Sequence, residues 1–515
     1  MLMVTWIVAI YHMGVYPRST EPPRQGAFHQ GIWVDKSVHG THHLILEGSA
    51  YMRGLESGRL TQHLLRRHES ELYAKFQEII PYDLLRRALI VASMRLFYGV
   101  DKYLETWMTD EMNGVSQHAS HDFDFLADGL TRQVGYHGLH EVGQMMMDQG
   151  GEDMGCTVAA APLKNSWLIG RNFDFEGGRS FDTEKIIKWV FPDEGNAYVS
   201  VVWAGMVGAV TGVNEHGLYI SLNAAGSDDR RIHGTPSTLV LLKALQFAKS
   251  ADEAIQILRT ENMFITDIFV VLDSKRSQLY RIEKSPYRMA VIPLREPAII
   301  TNHLLSDVWR DDSVNKFRMN ELTTVARQQR GEALLKNPLN DEHDMLQVLR
   351  DKGIEDGVPF HLGNRRAIDA LIAAHAVIFN GVSNTLYVSS GPSVSGPFVG
   401  YDLAASFRTH RPVVKGHLRA DPMVSDSTYD LVHRVERISH RARRLARSGR
   451  CVQAQSLMDQ VNAAHTVHSA YFHALGDMLH CFGEELEAQT AWSRSLDLYP
   501  PYASEIAELK AALKL

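Results

Sequence analysis

The sequence predicts an α+β fold of stacked β-sheets flanked by helices, followed by an all-helical C-terminal region. Three observations carry this. Short β-branched runs recur between residues 156 and 410, separated by turns rich in Gly, Asn and Asp. Helical patterns with apolar spacing of three and four lie between and before them. From residue 430 onward the pattern is almost purely helical.

Composition fits a globular protein with a large core: 515 residues, 45% hydrophobic and 22% charged. A net charge of −7 excludes the domain-wide basic excess that a nucleic-acid partner requires. The 25 histidines are scattered. Neither His39, His42 and His43 nor His410 has a metal-ligand spacing, and no cofactor or metal is expected. Three cysteines are too few for a disulfide framework, so Cys451 and Cys481 read as small buried hydrophobes.

Residues 1–24 form a candidate export signal or membrane anchor. Met1 to Tyr16 is apolar and uncharged, but short for a membrane span and without a basic n-region. An ordinary N-terminal strand fits it equally well. The protein would be periplasmic or membrane-anchored on the first reading and cytoplasmic on the second.

Residues 25–155 combine a strand-like piece, His43 to Leu46, with helical patterns at Gln62 to Ile80, Leu84 to Phe97 and Gly138 to Gln149. Gly150 and Gly151 then open an exposed loop before Cys156. Strand patterns follow at Thr157 to Ala161, Trp167 to Ile169, Ala197 to Val202, Leu218 to Leu222, Ile268 to Leu272, Ala298 to Thr301, Ala376 to Phe379 and Thr385 to Val388. Ser237 to Ala248 and Ala251 to Arg259 read as helices. Residues 156–415 thus form one mixed region, and residues 430–515 the helical one.

Within the helical region a unit from Ser469 to Tyr502 carries Leu475, Gly476, Leu479, Gly483, Ala488, Trp492, Leu496 and Pro500. The preceding unit, Val435 to His468, places Ala442, Leu445, Gly449, Ala454 and Met458 at matching offsets. Small residues let paired helices approach and large ones fill the groove, as in tetratricopeptide repeats. A generic pair of helical hairpins is the plainer alternative. The repeats would pack on the rest of the chain or bind a protein partner. The basic run His440 to Arg450 reads as a solvated face, or as a surface for an acidic partner or anionic lipid.

The chemistry centres on Gly155-Cys156-Thr157 and Gly170-Arg171-Asn172-Phe173-Asp174. A hairpin turning at Lys164-Asn165-Ser166 brings Arg171 and Asp174 beside Cys156. A nearby arginine favours the thiolate, and an aspartate can hold a cation in place. On spacing alone, a buried strand cysteine beside an ordinary ion pair is the simpler reading.

These motifs resemble the start of mature choloylglycine hydrolases, and they are similar to the penicillin acyltransferase and acid ceramidase families of N-terminal-nucleophile (Ntn) hydrolases. Gly212-Val213-Asn214-Glu215-His216-Gly217-Leu218 with Leu222-Asn223, Ile300-Thr301-Asn302-His303, and Asp312-Ser313 to Phe317-Arg318 resemble later elements in the same order. Glu47-Gly48-Ser49 with Tyr51, Gly54, Gly58 and Leu60 resembles the N-terminal signature of the penicillin acyltransferase group. Together they cover about residues 44–395.

The resemblance implies a four-layer αββα Ntn-hydrolase sandwich that cuts itself between Gly155 and Cys156. The thiol attacks the Gly155 carbonyl, and water hydrolyses the resulting thioester. This frees an α-amine, whose ordinary pKa of about 7.7–8.0 suits a general base. Cys156 is then nucleophile and base at once. Arg171 and Asp174 match the residues that orient it, and Asn223 and Asn302 match oxyanion donors. Arg318 matches a late arginine, with Lys316 and Arg310 close by. Asn223 and Asn302 could instead cap strand ends, and Arg318 could lie on a solvated face. Thr157 could assist cleavage or simply form strand.

The expected activity is hydrolysis of a linear amide, or acyl transfer to another amine, through an acyl-thioester on Cys156. β-Lactam precursors, bile salts, ceramides, N-acyl amino acids and peptide amides all contain such a bond. The N-terminal fragment is expected to stay as a subunit. The alternative is a catalytically inactive Ntn-fold scaffold whose repeats bind a protein partner.

Overall fold

The computed structural model describes residues 30–515 except 81, 97–98, 139–140, 142–143, 145–153, 232, 355–361 and 462–467. The apolar N-terminal stretch, the loop at Gly150 and Gly151, and most of the helix expected from Gly138 to Gln149 lie outside the described residues.

Sixteen strands form two sheets among the described residues. The first holds β1 (Ile32–Val34), β2 (His42–Gly48), β5 (Ile186–Pro192), β6 (Tyr198–Val202), β7 (Thr211–Asn214), β8 (Leu218–Ala224), β9 (Asp267–Asp273), β10 (Gln278–Lys284) and β11 (Met289–Leu294), side by side in that order. The second runs β12 (Ala298–Ile300), β3 (Met154–Pro162), β4 (Trp167–Phe175), β13 (Ala373–Asn380), β14 (Thr385–Ser389), β15 (Phe398–Asp402) and β16 (Val414–Leu418). All pairs are antiparallel except β2 with β5.

The two-residue period of the strands sorts side chains into layers. Ile45, Ile187 and Trp189 face Val158, Ala160, Ile169 and Val377 between the sheets. Their neighbours Leu44, Leu46, Ile186 and Val190 pack outward under the helices Ala50–Ile79, Thr106–Ser116 and Ser237–Phe247. On the second sheet, Ala159, Ala161, Leu168 and Ala376 pack outward on Met345, Leu346 and Leu349 of the helix Glu342–Leu349. The result is a four-layer αββα sandwich, as expected. Strands buried on both faces read as continuous apolar runs, which is why β3, β4, β6, β8, β9 and β13 are visible in the sequence. β10 and β11 are not: Arg281 and Glu283 interrupt the pattern of β10 and pair at 2.7 Å.

The N-terminal segment is built into this body. It supplies β1 and β2, and its helix Ala50–Ile79 crosses Thr106–Ser116 at backbone contact. A methyl group on Gly54 would lie 1.9 Å from the Glu111 carbonyl oxygen, and one on Gly58 2.7 Å from that of Val115. That is the physical content of the Gly54 and Gly58 signature. Arg53 locks the crossing by donating to Glu111 at 2.7 Å and to the Gly48 carbonyl at 2.7 Å.

The C-terminal region comprises the helices Asp426–Arg447, Cys451–Met458, Ser469–Phe482, Glu485–Asp497 and Ala503–Leu513. Gly476 permits close approach of Trp492, since a methyl there would meet its Cδ1 at 2.4 Å. Cys451 and Cys481 form a disulfide with Cα atoms 5.6 Å apart. This corrects the expectation of free cysteines: the helical hairpins bring residues 30 apart in sequence together. Among the described residues, no helix is long and apolar enough to cross a membrane.

Two glycine substitutions should separate packing from propensity. Gly54→Ala should destabilise the fold by about 1–3 kcal/mol, the usual cost of overpacking. Gly135→Ala, in the helix Gly129–His137 with nothing within 4 Å of the added methyl, should be neutral or slightly stabilising. Urea midpoints of the two variants against wild type check this.

Candidate active site

Cys156 is the third residue of β3, paired across the hairpin with Phe173, while Gly155 pairs with Asp174. The turn at Lys164-Asn165-Ser166 closes this hairpin. Cys156 is 2% exposed and is the free cysteine of the chain.

Each polar atom of Cys156 is held by a different element. Its N–H donates to Oδ1 of Asn302 at 2.9 Å. Its carbonyl accepts from Nη1 of Arg327 at 2.7 Å. The sulfur lies 3.6 Å from Nη2 of Arg171, which also bonds the Leu222 carbonyl. Arg171 is fixed further by the Val210 carbonyl at 3.0 Å and by Thr211, whose hydroxyl meets Nε2 of His375 at 2.9 Å. His375 is buried and held well below the ordinary imidazole range by desolvation, with Arg171 and Lys185 reinforcing this, so it is neutral at neutral pH.

Burial pushes the Cys156 thiol up. Arg171 opposes this most, Asp174 adds to it, and Arg327 and the Ala224 backbone N–H favour the thiolate. Burial likewise pushes Asp174 up to about 6, against the pull of Arg327, Arg365 and Arg171. Oδ1 of Asp174 is buried without a hydrogen-bond partner among the described residues. Its Oδ2 stands beside Gly155: a methyl group on that residue would lie 3.0 Å from Oδ2 and 3.4 Å from Nη2 of Arg327. A side chain there would crowd this carboxylate at the bond before Cys156.

The structure thus brings together Cys156, Arg171, Asp174, Asn302 and Thr157, whose hydroxyl accepts from Arg327 at 2.9 Å. The asparagines are placed differently from an oxyanion pair. Asn302 presents its oxygen to the Cys156 N–H and to Nη2 of Arg327 at 2.7 Å, and its Nδ2 donates to the Ala224 carbonyl at 2.8 Å. Flipping the amide would set its NH₂ against two donors, so this orientation is chemically fixed. Asn223 donates to the carbonyls of Ile300 and Thr301 at 3.1 and 3.3 Å.

Arg318 is buried but donates to the Gln144 carbonyl at 3.3 Å. Lys316 and Arg310 pair with Asp311 and Asp307 at the surface. The late arginine beside the cysteine is Arg327, on the helix Thr324–Leu334. One signal could have found it: Thr324, Arg327 and Gly331 fall at spacings of three and four, on the buried face of an otherwise polar helix.

An apolar cavity of about 150 Å³ is lined by residues that also pack against Cys156. Phe173, Phe175, Phe181, Trp203, Met206 and Val210 line it, with Leu65 and Leu72 contributed by the N-terminal segment. Cys156 packs in the same cluster as Phe173, Phe181, Trp203 and Val210. The wall at Met206 is clamped from behind. Nζ of Lys188 donates to the Met206 and Val207 carbonyls at 3.1 and 3.0 Å, and Nε2 of His137 accepts from the amides of Val207 and Gly208 at 2.9 and 3.1 Å.

Among the described residues, Glu176, His433 and Glu436 bring potential metal-ligand atoms within 4.8 Å of one another. Arg365 already occupies both carboxylates, at 2.9 and 3.1 Å, so this cluster is an ion-pair node.

A family model described as acyl-coenzyme A:6-aminopenicillanic acid acyl-transferase matches residues 163–362. The resemblance read from the motifs is borne out over that stretch. An uncharacterized protein of Archaeoglobus fulgidus is 23% identical over 255 residues, 46% of this chain and 42% of that protein. The chain therefore spans less than half the length of that curated relative. Three solved structures are similar in part. An N-acylethanolamine-hydrolyzing acid amidase ortholog of Caenorhabditis elegans shows 16% identity and a TM-score of 0.32, over 51% of this chain and 100% of that one. A mutant conjugated bile acid hydrolase of Clostridium perfringens shows 12% and 0.34, over 53% and 100%. Penicillin V acylase of Agrobacterium tumefaciens shows 14% and 0.32, over 52% and 99%.

Alkylation of Cys156 by iodoacetamide should rank the arginines. Arg327→Met and Arg171→Met should each slow the reaction at pH 8 by roughly tenfold, the equivalent of about one pKa unit. Arg318→Met should leave the rate unchanged.

Proposed function

We propose that this chain, which carries the acyltransferase family pattern over residues 163–362, is a self-activating cysteine Ntn hydrolase or acyltransferase acting on linear amides. The observation that carries the reading is Asp174, whose Oδ2 stands beside Gly155 and whose buried Oδ1 has no hydrogen-bond partner among the described residues. Three arginines stand near this carboxylate, yet that oxygen has no hydrogen-bond donor while Cys156 N is an amide, and cleavage would turn that nitrogen into an amine able to donate to it.

In the activation step the Cys156 sulfur attacks the Gly155 carbonyl carbon. The C–S bond forms, the C–N bond breaks, and the thiol proton passes to the departing nitrogen. Water then cleaves the thioester, leaving a Gly155 carboxylate and a free thiol. In turnover the α-amine takes the thiol proton and the sulfur attacks the substrate amide carbon. The leaving amine takes that proton back, and water or a second amine resolves the acyl-thioester.

Asn302 keeps its oxygen toward the nitrogen in both states, because amide and amine alike donate. It serves here to position the amine. The Ala224 N–H, turned toward the sulfur, is the oxyanion donor of this reading. Arg171 and Arg327 favour the charged sulfur.

The cavity supports an apolar acyl group. Aromatic and aliphatic side chains form most of its lining, with His68, Glu69, His137 and Thr238 as polar members, and burial of each further methylene contributes about 0.8 kcal/mol. Residues up to 155 remain as a subunit on this reading, supported by the parallel pairing of β2 with β5. The tetratricopeptide-like reading of the C-terminal helices is retained on the small residues Ala442, Ala454, Gly476 and Ala488 at their contacts. The Cys451–Cys481 disulfide supports an oxidising compartment, and hence the exported alternative.

Intact mass and N-terminal sequencing of the purified protein test this. The expected products are two fragments meeting at Gly155 and Cys156, with Cys156→Ala left whole. An uncut wild type, or a Cys156→Ala variant cut like wild type, would overturn the reading. With mature protein, kcat/KM for linear acyl p-nitroanilides should rise roughly threefold to fourfold per added methylene until the cavity is full.

A further inference from the structure

The helix Ala50–Ile79 turns one face to the apolar cavity. Leu65, His68, Glu69 and Leu72 follow at spacings of three and four, so they share a side of the helix, and all four line the same space. The two leucines suit an acyl chain. The two residues between them do not, and both are buried.

His68 is 4% exposed and stacks on Phe181, another lining residue, with ring centroids 4.8 Å apart. Neither ring nitrogen makes a hydrogen bond of proper geometry among the described residues, although the Ser180 backbone favours a proton on the ring. Burial outweighs this and pushes the imidazole down to about 4. At neutral pH the ring is therefore uncharged, with one donor and one acceptor nitrogen. A second such group stands behind Gly205, which also lines the cavity. A methyl on that glycine would lie 3.3 Å from Nε2 and 3.6 Å from Oε1 of Gln133. This carboxamide is buried, and neither of its polar atoms has a partner among the described residues. Oγ1 of Thr238 and Oε2 of Glu69, on two further lining residues, are in the same position. Buried polar groups are nearly always hydrogen-bonded, and one left without a partner costs about 1–3 kcal/mol. A cavity for plain hydrocarbon has no need of such atoms in its wall.

We propose that His68, with Gln133 behind Gly205, forms a polar end to the cavity and selects an acyl group that carries an uncharged hydroxyl. The proposal rests on the acyl-binding reading of the cavity given above.

The charges nearby exclude an ionised substituent. Glu69 would repel a carboxylate, and Arg132 has its guanidinium engaged. Its Nη1 donates to Asp124 and to the Ala127 carbonyl at 2.9 Å each, its Nη2 donates to the Ser120 carbonyl at 2.6 Å, and its Nε stands 3.2 Å from Oε1 of Glu69. The same guanidinium balances Glu69, whose Oε1 also accepts from the Tyr136 hydroxyl, so no net negative charge is left to draw an ammonium. A hydroxyl donates and accepts at once, which matches a neutral imidazole and a carboxamide. Cavity size sets the scale of the chain: about 150 Å³ holds a six-carbon ring. His68, Glu69 and Gln133 all precede Cys156. The segment before the cleavage point would thus choose the acyl group on which the segment after it acts.

The test uses the full processed chain. It compares kcat/KM for the p-nitroanilides of 6-hydroxyhexanoic, 7-hydroxyheptanoic and 8-hydroxyoctanoic acids with those of heptanoic, octanoic and nonanoic acids, in which a methyl replaces the hydroxyl. At the best chain length the hydroxyl compound should lead by about fivefold, the weight of one neutral hydrogen bond. His68→Phe keeps a ring on Phe181 and removes both nitrogens, so the ratio should fall by roughly tenfold or more and favour the methyl compound. Arg66→Gln, on the outer face of the same helix and paired with Asp122 at the surface, should keep the wild-type ratio. If His68→Phe does not fold, Gln133→Leu takes its place and should lower the ratio in the same direction.

A wild type that favours the methyl compound at every length would overturn the inference. So would an unchanged ratio in His68→Phe, or a lead for the 6-aminohexanoic anilide over its hydroxyl counterpart. If the anilides are not turned over, the concentrations at which they protect Cys156 from iodoacetamide give the same ratio. An unprocessed wild type would remove the reading of Cys156, whereas the ratio speaks for the cavity alone, so the two failures are distinct.

Discussion

The hydrogen bond from the Cys156 N–H to Asn302 governs the geometry of the whole site. It ties the edge of β3 to the end of β12, and the same asparagine oxygen receives Arg327. Arg327 in turn holds the Cys156 carbonyl and the Thr157 hydroxyl. One short stretch of backbone is therefore clamped from both sides. The sulfur is left facing Arg171 and packed with Phe173, Phe181 and Trp203. Charged hydrogen bonds of this kind are stronger than neutral ones in a low-dielectric interior, and every group in the clamp is buried.

Burial sets the balance of charge. Desolvation by itself would keep the thiol protonated and the carboxylate neutral. Arg171, Arg327 and Arg365 oppose it, and each arrives from a different element. The site is thus a compromise between an apolar environment that suits an acyl group and cations that suit a thiolate. A free cysteine in such surroundings would be inert without them.

The part of the site carried by local chain geometry was legible in the sequence. Thr157 to Ala161 and Trp167 to Ile169 are apolar on both faces, and Lys164-Asn165-Ser166 can only turn. The hairpin and the approach of Arg171 and Asp174 follow from that. Asn302 was legible through the motif around it, although it turns its amide oxygen rather than its NH₂ toward Cys156. Arg327 was not, because its only local sign is its place on the sparse buried face with Thr324 and Gly331, and no motif marks it among Arg310, Lys316, Arg318 and Arg330. The packing of its helix over Thr301 and Asn302 sets it in the site, where Thr324 accepts the Asn302 N–H at 2.8 Å. The disulfide was hidden for a similar reason. Counting three cysteines suggests no framework, but stacking the hairpins sets the start of one helix against the end of another.

That disulfide gives the chain an unusual analytical simplicity. With Cys451 and Cys481 bonded to each other, Cys156 holds the one remaining sulfhydryl. Any thiol-directed dye or spin label placed on the native chain reports from beneath the aromatic cavity without engineering. Because that sulfur is almost wholly covered, its labelling at a fixed pH, and so at a fixed thiolate fraction, also follows the opening motions of the sandwich from its own centre.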